Sequence, residues 1–174
     1  MIRAFARRMG WRQTLIVLSA ILSGAMLLSC HSTVFTYQGA RIAQVSLIPL
    51  PEDAAKDDHF ETEDVAVDYG YARSGNSLQL SGVISYSSAL QKSFPTVPDF
   101  FIRTFFTDAQ GTVLGYRGIV VSGYGYTSDR MRFQEFVTLP PGTAFMAFGY
   151  SGQARESSSG EAVVKSFWFD PIIH

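Results

Sequence analysis

Cysteine is nearly missing from this chain: its 174 residues contain one, Cys30. A single thiol forms no internal disulfide, so a folded domain here must rest on its core alone. Histidine is scarce as well, with His31, His59 and His174 the full set. Zinc sites draw on clusters of His and Cys, and neither a cluster nor a His-Glu-x-x-His pair occurs. Basic residues form no stripe along the chain, which argues against nucleic acid as a partner. No glycine-rich phosphate loop follows a strand pattern and opens a helix pattern. Beyond residue 30 there is no long apolar stripe of helical period and no internal repeat of useful length. With no evident catalytic constellation, the expectation is a non-enzymatic protein without a cofactor.

Aromatic residues are plentiful instead. Fourteen Phe and eight Tyr supply large apolar area, and charged residues make up only 17% of the chain, so its body should fold rather than stay disordered. The formal net charge of −1 is unevenly spread. Four of the fourteen Arg and Lys precede Cys30 and no acid does, which leaves the remainder near −5. Residues 52–64 carry Glu52, Asp53, Asp57, Asp58, Glu61, Glu63 and Asp64 against Lys56 alone.

The segment before Cys30 has a definite order. Arg3, Arg7, Arg8 and Arg12 come first, then the charge-free run from Thr14 to Ser29, ending in Leu27-Leu28-Ser29-Cys30. A positive start, an apolar core and small residues at the end form the pattern of a secretory signal. The run falls just short of the roughly 20 residues that span a bilayer. Gly24 and the abrupt polar sequence after Cys30 also speak against a retained transmembrane anchor.

The ending Leu27-Leu28-Ser29-Cys30 resembles the lipobox of bacterial lipoproteins, with leucine three positions before the cysteine and serine just before it. That resemblance implies cleavage after Ser29, a diacylglyceryl thioether on Cys30 and acylation of its new amino group. His31 is then the second residue of the processed chain. In Gram-negative lipoproteins an aspartate there means inner-membrane retention, so His31 implies the outer membrane, facing the periplasm. Two or more acyl chains anchor stably, at about 0.8 kcal/mol per buried methylene. The membrane is therefore an expected partner, reached through lipid on Cys30. On this reading residues 1–29 are the leader, 30–40 a tether and 41–174 one domain.

Within that domain the pattern is β. Residues 41–50 suggest a first strand with Ile42, Val45 and Ile48 as apolar contacts, and residues 51–64 an acidic connection. Leu78, Leu80, Gly82, Ile84 and Tyr86 alternate with polar residues, the mark of a half-buried strand. From Asp99 to Thr107, Phe100, Phe101, Ile102, Phe105 and Phe106 cover both faces, as in a central strand. Asp108-Ala109-Gln110-Gly111 reads as a turn and residues 112–122 as the returning strand. Further strands are expected at 132–139, 143–151 and 161–169, with Leu139-Pro140-Pro141-Gly142 as a type II turn and 152–160 as a polar loop. Several short strands separated by turn signals point to a single antiparallel β-sandwich in an all-β fold. The order of strands and turns resembles the small Ig-like sandwiches of bacterial envelope proteins, without the cysteine pair of true Ig domains.

Site candidates are few. Gly115, Gly118, Gly123 and Gly125 surround Tyr116, Tyr124 and Tyr126, with Arg117, Arg130 and Arg132 nearby. Tyr and Arg are frequent interface anchors, so Tyr116, Arg117, Tyr124 and Tyr126 are candidates for contact with a glycan, a peptide or a protein partner. Asp57, Asp58 and Glu61 are candidates for calcium, which takes clustered carboxylates, although no EF-hand spacing is present. Their alternative role is a solvated acidic loop. Ser151 in Gly149-Tyr150-Ser151-Gly152-Gln153 begins like a nucleophile elbow but meets Gln153 where glycine is required. The function expected from these observations is an anchored envelope protein acting through protein contacts, with glycan or peptide binding at residues 116–126 as the alternative.

Overall fold

Alternation of apolar and polar side chains builds most of this protein, whose computed structural model describes residues 37–122, 125–156 and 163–173. The expected leader, Cys30, His31, Tyr124 and His174 lie outside the described residues. The clearest alternation is in β4 (Val65–Ser74), where Val65, Val67, Tyr69, Tyr71 and Arg73 are buried and Asp68 and Ala72 exposed. Its hairpin partner β5 (Ser77–Tyr86) buries Leu78, Leu80, Ile84 and Tyr86. The two are joined through Gly75 and Asn76, with Gly75 at φ +53°.

Strand β3 (Ala55–Glu61) pairs with β4, and β9 (Met131–Thr138) with β5, giving a sheet of order β3-β4-β5-β9. The second sheet runs β11-β10-β6-β7, from β6 (Thr96–Thr107), β7 (Val113–Ser122), β10 (Phe145–Arg155) and β11 (Val164–Phe169). Every neighbouring pair in both sheets is antiparallel. Short pieces complete the fold. β1 (Arg41–Ile42) pairs with β12 (Ile172–Ile173), β2 (Ile48–Pro49) with β10, and β8 (Gly125–Tyr126) with β6. The two antiparallel sheets pack face to face as a sandwich and are not closed into a barrel.

The chain crosses between sheets through α1 (Ser88–Ser93), a single turn and a half. Ser87 caps it, its side chain accepting from Leu90 N–H at 3.2 Å, and Leu90 is buried. The facing sides of the sheets meet in an aromatic core. Tyr69 stands edge-on to Phe148 at 5.1 Å between centroids, and Tyr86 edge-on to Phe100 at 5.4 Å. Phe100, Phe106 and Phe148 are almost wholly buried, each contributing about 1.5–3 kcal/mol of apolar transfer. A smaller cluster lies on the outer face of the second sheet, where Ile42, Phe105, Val113 and Ala147 are covered by Tyr37, Ala40, Leu47 and Ile172. That cover explains why β6 carries aromatics on both faces.

Two expected turns are present: Gly111 has φ +79° after Asp108, and Gly142 has φ +83° after Pro141, values that an L side chain adopts at a cost. Elsewhere the expectations need correction. The acidic connection 51–64 contains β3, paired with β4 along its whole length. Only Phe60 of this edge strand packs on the core, and charges on an outer strand are compatible with pairing on one side. The expected strand 41–50 is broken into β1, a 3₁₀ turn over Gln44–Ser46 and β2, and Val45 is 96% exposed. Residues 37–40, read as tether, belong to the domain, since Gly39 N–H donates to the Val113 carbonyl at 2.9 Å. Strand β10 continues through residues 152–155, which were expected in a loop.

Candidate functional site

Strand geometry decides which candidate residues meet. Tyr116 pairs with Phe105 in β6 and Tyr126 pairs with Thr96. Nine residues of β6 separate those partners, about 30 Å at the usual rise. Tyr116 and Tyr126 are thus at opposite ends of the sheet, too far apart to share one small ligand. Tyr116 lies on the outer face, edge-on to Tyr37 at 5.2 Å. Arg117 follows it and points the other way, toward the smaller sheet, where its Nε is 3.4 Å from Glu135 Oε2. This ion pair joins the edge strands β7 and β9.

Between those edges is a cleft of about 290 Å³ lined by Phe106, Tyr116, Arg117, Phe136, Val137 and Pro140, with Thr138 at its rim. Phe136 is 71% exposed and Tyr116 is 44% exposed. The spacing of Phe133 and Phe136 puts them on opposite faces of β9: Phe133 enters the core and Phe136 faces out. An odd spacing between two phenylalanines in a period-two strand was the available signal for this residue, which sequence reasoning did not single out. Among the described residues β7 beyond Thr112 has a strand partner only in β6, and β9 only in β5. Past Val113, whose backbone is bonded to Gly39 and Ala40, both edges therefore lack a second strand partner among the described residues and can be extended by a further segment.

The acidic candidates diverge. Asp57 and Asp58 are consecutive in β3 and so project to opposite faces of the sheet. Asp58 is engaged by Lys56 at 2.5 Å, and that hydrogen bond lowers its carboxyl pKa below the ordinary value. Glu61 lies 3.5 Å from His59 Nε2. No group of three or more His, Cys, Asp or Glu among the described residues is close enough to hold a metal ion. The calcium trio Asp57, Asp58 and Glu61 does not converge.

Ser151 and His59 are also apart. Ser151 is exposed on the outer face of the larger sheet, while His59, paired with Asp68 at 2.7 Å, is on the outer face of the smaller. The core lies between them. Arg130 and Arg132 are exposed at the start of β9. No helix among the described residues is long and apolar enough to cross a membrane. Compared with known proteins, the chain matches no family model and no curated sequence.

Proposed function

We propose that this chain is a lipid-anchored component of a bacterial envelope, held at the outer membrane through Cys30 and acting without catalysis through a protein partner at the β7–β9 edge. The observation that supports the partner is Phe136, exposed beside Tyr116 and Arg117 over a cleft between two strand edges. Aromatic and arginine side chains around a pocket dominate interface energetics. An extended segment laid along either edge would add main-chain hydrogen bonds. The anchor is supported by the lipobox-like ending of the leader.

The experiment places a photo-crosslinking amino acid at position 136 in the membrane-bound chain. A discrete adduct is expected, absent when the probe is moved to exposed Glu61 on β3, at the opposite edge of the same sheet. A purely monomeric profile at position 136 overturns the partner. For the anchor, Cys30→Ser should abolish incorporation of labelled palmitate and release a folded domain. Equal labelling of both forms overturns it.

A further inference from the structure

The outer face of the larger sheet carries a second arrangement, remote from the β7–β9 edge. Strand register sets Phe101, Ser151 and Trp168 side by side across β6, β10 and β11. The next row holds Asp99, Gln153 and Ser166. Alternation turns all six outward, because Phe100 and Phe167 between them are buried in the core. Together they bound a trough of about 450 Å³, a volume typical of ligand sites.

Several features make this more than an exposed face. Trp168 is 69% exposed, and its indole has neither a hydrogen bond nor a ring contact among the described residues. Phe101 is held in place: the Arg103 guanidinium carbon is 4.6 Å from its ring centroid, and a Cβ on Gly118 would come within 3.2 Å of the ring. Arg103 is in turn fixed by Tyr37, over whose ring it stacks and to whose hydroxyl it donates. Beyond Ser151 and Trp168 a smaller hollow of about 170 Å³ continues along Gly149, Phe105 and Arg103. At the other end β6 bulges, with Val97 and Pro98 opposite Ala154 alone. Bulges re-aim side chains and recur beside binding sites.

We infer that this trough binds a saccharide. A pyranose ring has apolar C–H faces and a rim of hydroxyls. The C–H face packs on the electron-rich face of an aromatic ring. The rim hydroxyls donate to a carboxylate and exchange hydrogen bonds with an amide or a hydroxyl. The first row supplies the open indole of Trp168 as the stacking platform, with the small Ser151 beside it and Phe101, whose ring already carries the Arg103 guanidinium, as a wall about 10 Å away, two strand spacings. The second supplies Asp99 as acceptor, Gln153 as donor and acceptor, and Ser166. None of these four polar side chains has its hydrogen-bonding capacity used within the described residues. A purely apolar partner would strand them without bonds, at a cost for each. An anionic lipid surface would meet the Asp99 carboxylate.

The test uses the detergent-extracted protein carrying Trp11→Phe, so that Trp168 is its only indole whether or not the leader has been removed. The probes are an N-acetylglucosamine tetramer, representing cell-wall amino sugars, and maltotetraose, representing neutral polysaccharide. At least one should change Trp168 emission saturably, and which one does so distinguishes the two sources. By ligand-observed NMR, Trp168→Ala should weaken binding by at least about tenfold and Gln153→Ala by a smaller factor. Neither should move the melting temperature, since both side chains point outward. The inference is overturned by the absence of saturable change with both sugars, by Trp168→Ala binding as wild type, or by phosphatidylglycerol vesicles alone producing the shift. Failure here leaves an adduct at position 136 untouched, so this inference and the partner proposal stand or fall separately.

Discussion

The Lys165 ammonium lies 2.7 Å from Asp64 Oδ1, so the edge strand of the larger sheet is tied to the connection between β3 and β4 of the smaller. The two residues are 101 apart in sequence, and the contact forms only when the sandwich closes.

Removing the ammonium should hurt more than removing the carboxylate. The Asp64 side chain is only 12% exposed whereas Lys165 is 37% exposed. Lys165→Met leaves a nearly buried carboxylate without its partner, and the expected loss is about 1–2 kcal/mol, held down by the solvent contact that Lys165 keeps. Asp64→Asn should cost less. A double-mutant cycle in urea should return coupling near 1 kcal/mol (order of magnitude). Additive losses would show that the pair contributes nothing of its own.

Arg73 offers a sharper case. Its side chain is 5% exposed, and it fastens three stretches of chain. One terminal nitrogen donates to the Leu50 carbonyl and, at 3.0 Å, to that of Thr143, while Nε donates to the Gly75 carbonyl at 2.9 Å. Arg73→Met should cost about 3 kcal/mol because the carbonyls of buried Leu50 and Thr143 lose a charged donor together. Arg73→Lys should recover less than half of this, since an ammonium cannot span the same fork. Denaturant midpoints measure both, and full recovery by lysine would refute the geometric argument.

The two-layer fold was legible in the sequence because its strongest strands place apolar side chains at period two on the buried side. Leu78 to Tyr86 shows this, and so do the turns at Gly111 and Gly142, which require left-handed backbone. Strand β4 carries an equally clear signal in Val65, Val67, Tyr69 and Tyr71, masked only by the acidic run that adjoins it. Strand β3 had no such signal, because an edge strand with one core contact at Phe60 reads like a polar loop. The site was less legible for a different reason. Proximity along the chain grouped Tyr116 with Tyr126, whereas a strand spreads its residues along its length and a sheet gathers residues from distant segments. Phe101, Ser151 and Trp168 become neighbours only through strand register.

His59 should respond to pH in a defined direction. Its Nδ1 is 2.7 Å from Asp68 Oδ1, and that hydrogen bond, ahead of the charge of Glu61, raises the imidazole pKa above its ordinary 6.5. A folded-state value above the unfolded one means the stabilisation is complete below pH 6.5 and disappears as pH rises through the folded value. Both partners are about half exposed, so the effect on stability should be small and should fade with added salt. The direct measurement is an NMR titration of the His59 ring. Asp68→Asn should lower the midpoint toward 6.5, and an unchanged midpoint would remove Asp68 as the cause.

Thr104 should be improved by losing its hydroxyl. It is wholly buried in β6, and its Oγ1 is the one buried side-chain polar atom among the described residues without a hydrogen-bond partner. Ile102 and Phe106 turn inward on either side of it, so its surroundings are apolar. Valine keeps the branched shape and the strand preference while replacing the hydroxyl by a methyl group. Without a partner, the hydroxyl's desolvation is pure cost, and Thr104→Val should raise stability by about 1 kcal/mol. Thr104→Ala separates shape from polarity: it also removes the hydroxyl but leaves a void where the methyl packed, and should lose about 1 kcal/mol. Urea unfolding of the two variants decides the matter. A loss in Thr104→Val as large as that in Thr104→Ala would mean that the hydroxyl is satisfied in solution, for instance by a buried water, and that β6 depends on that bond.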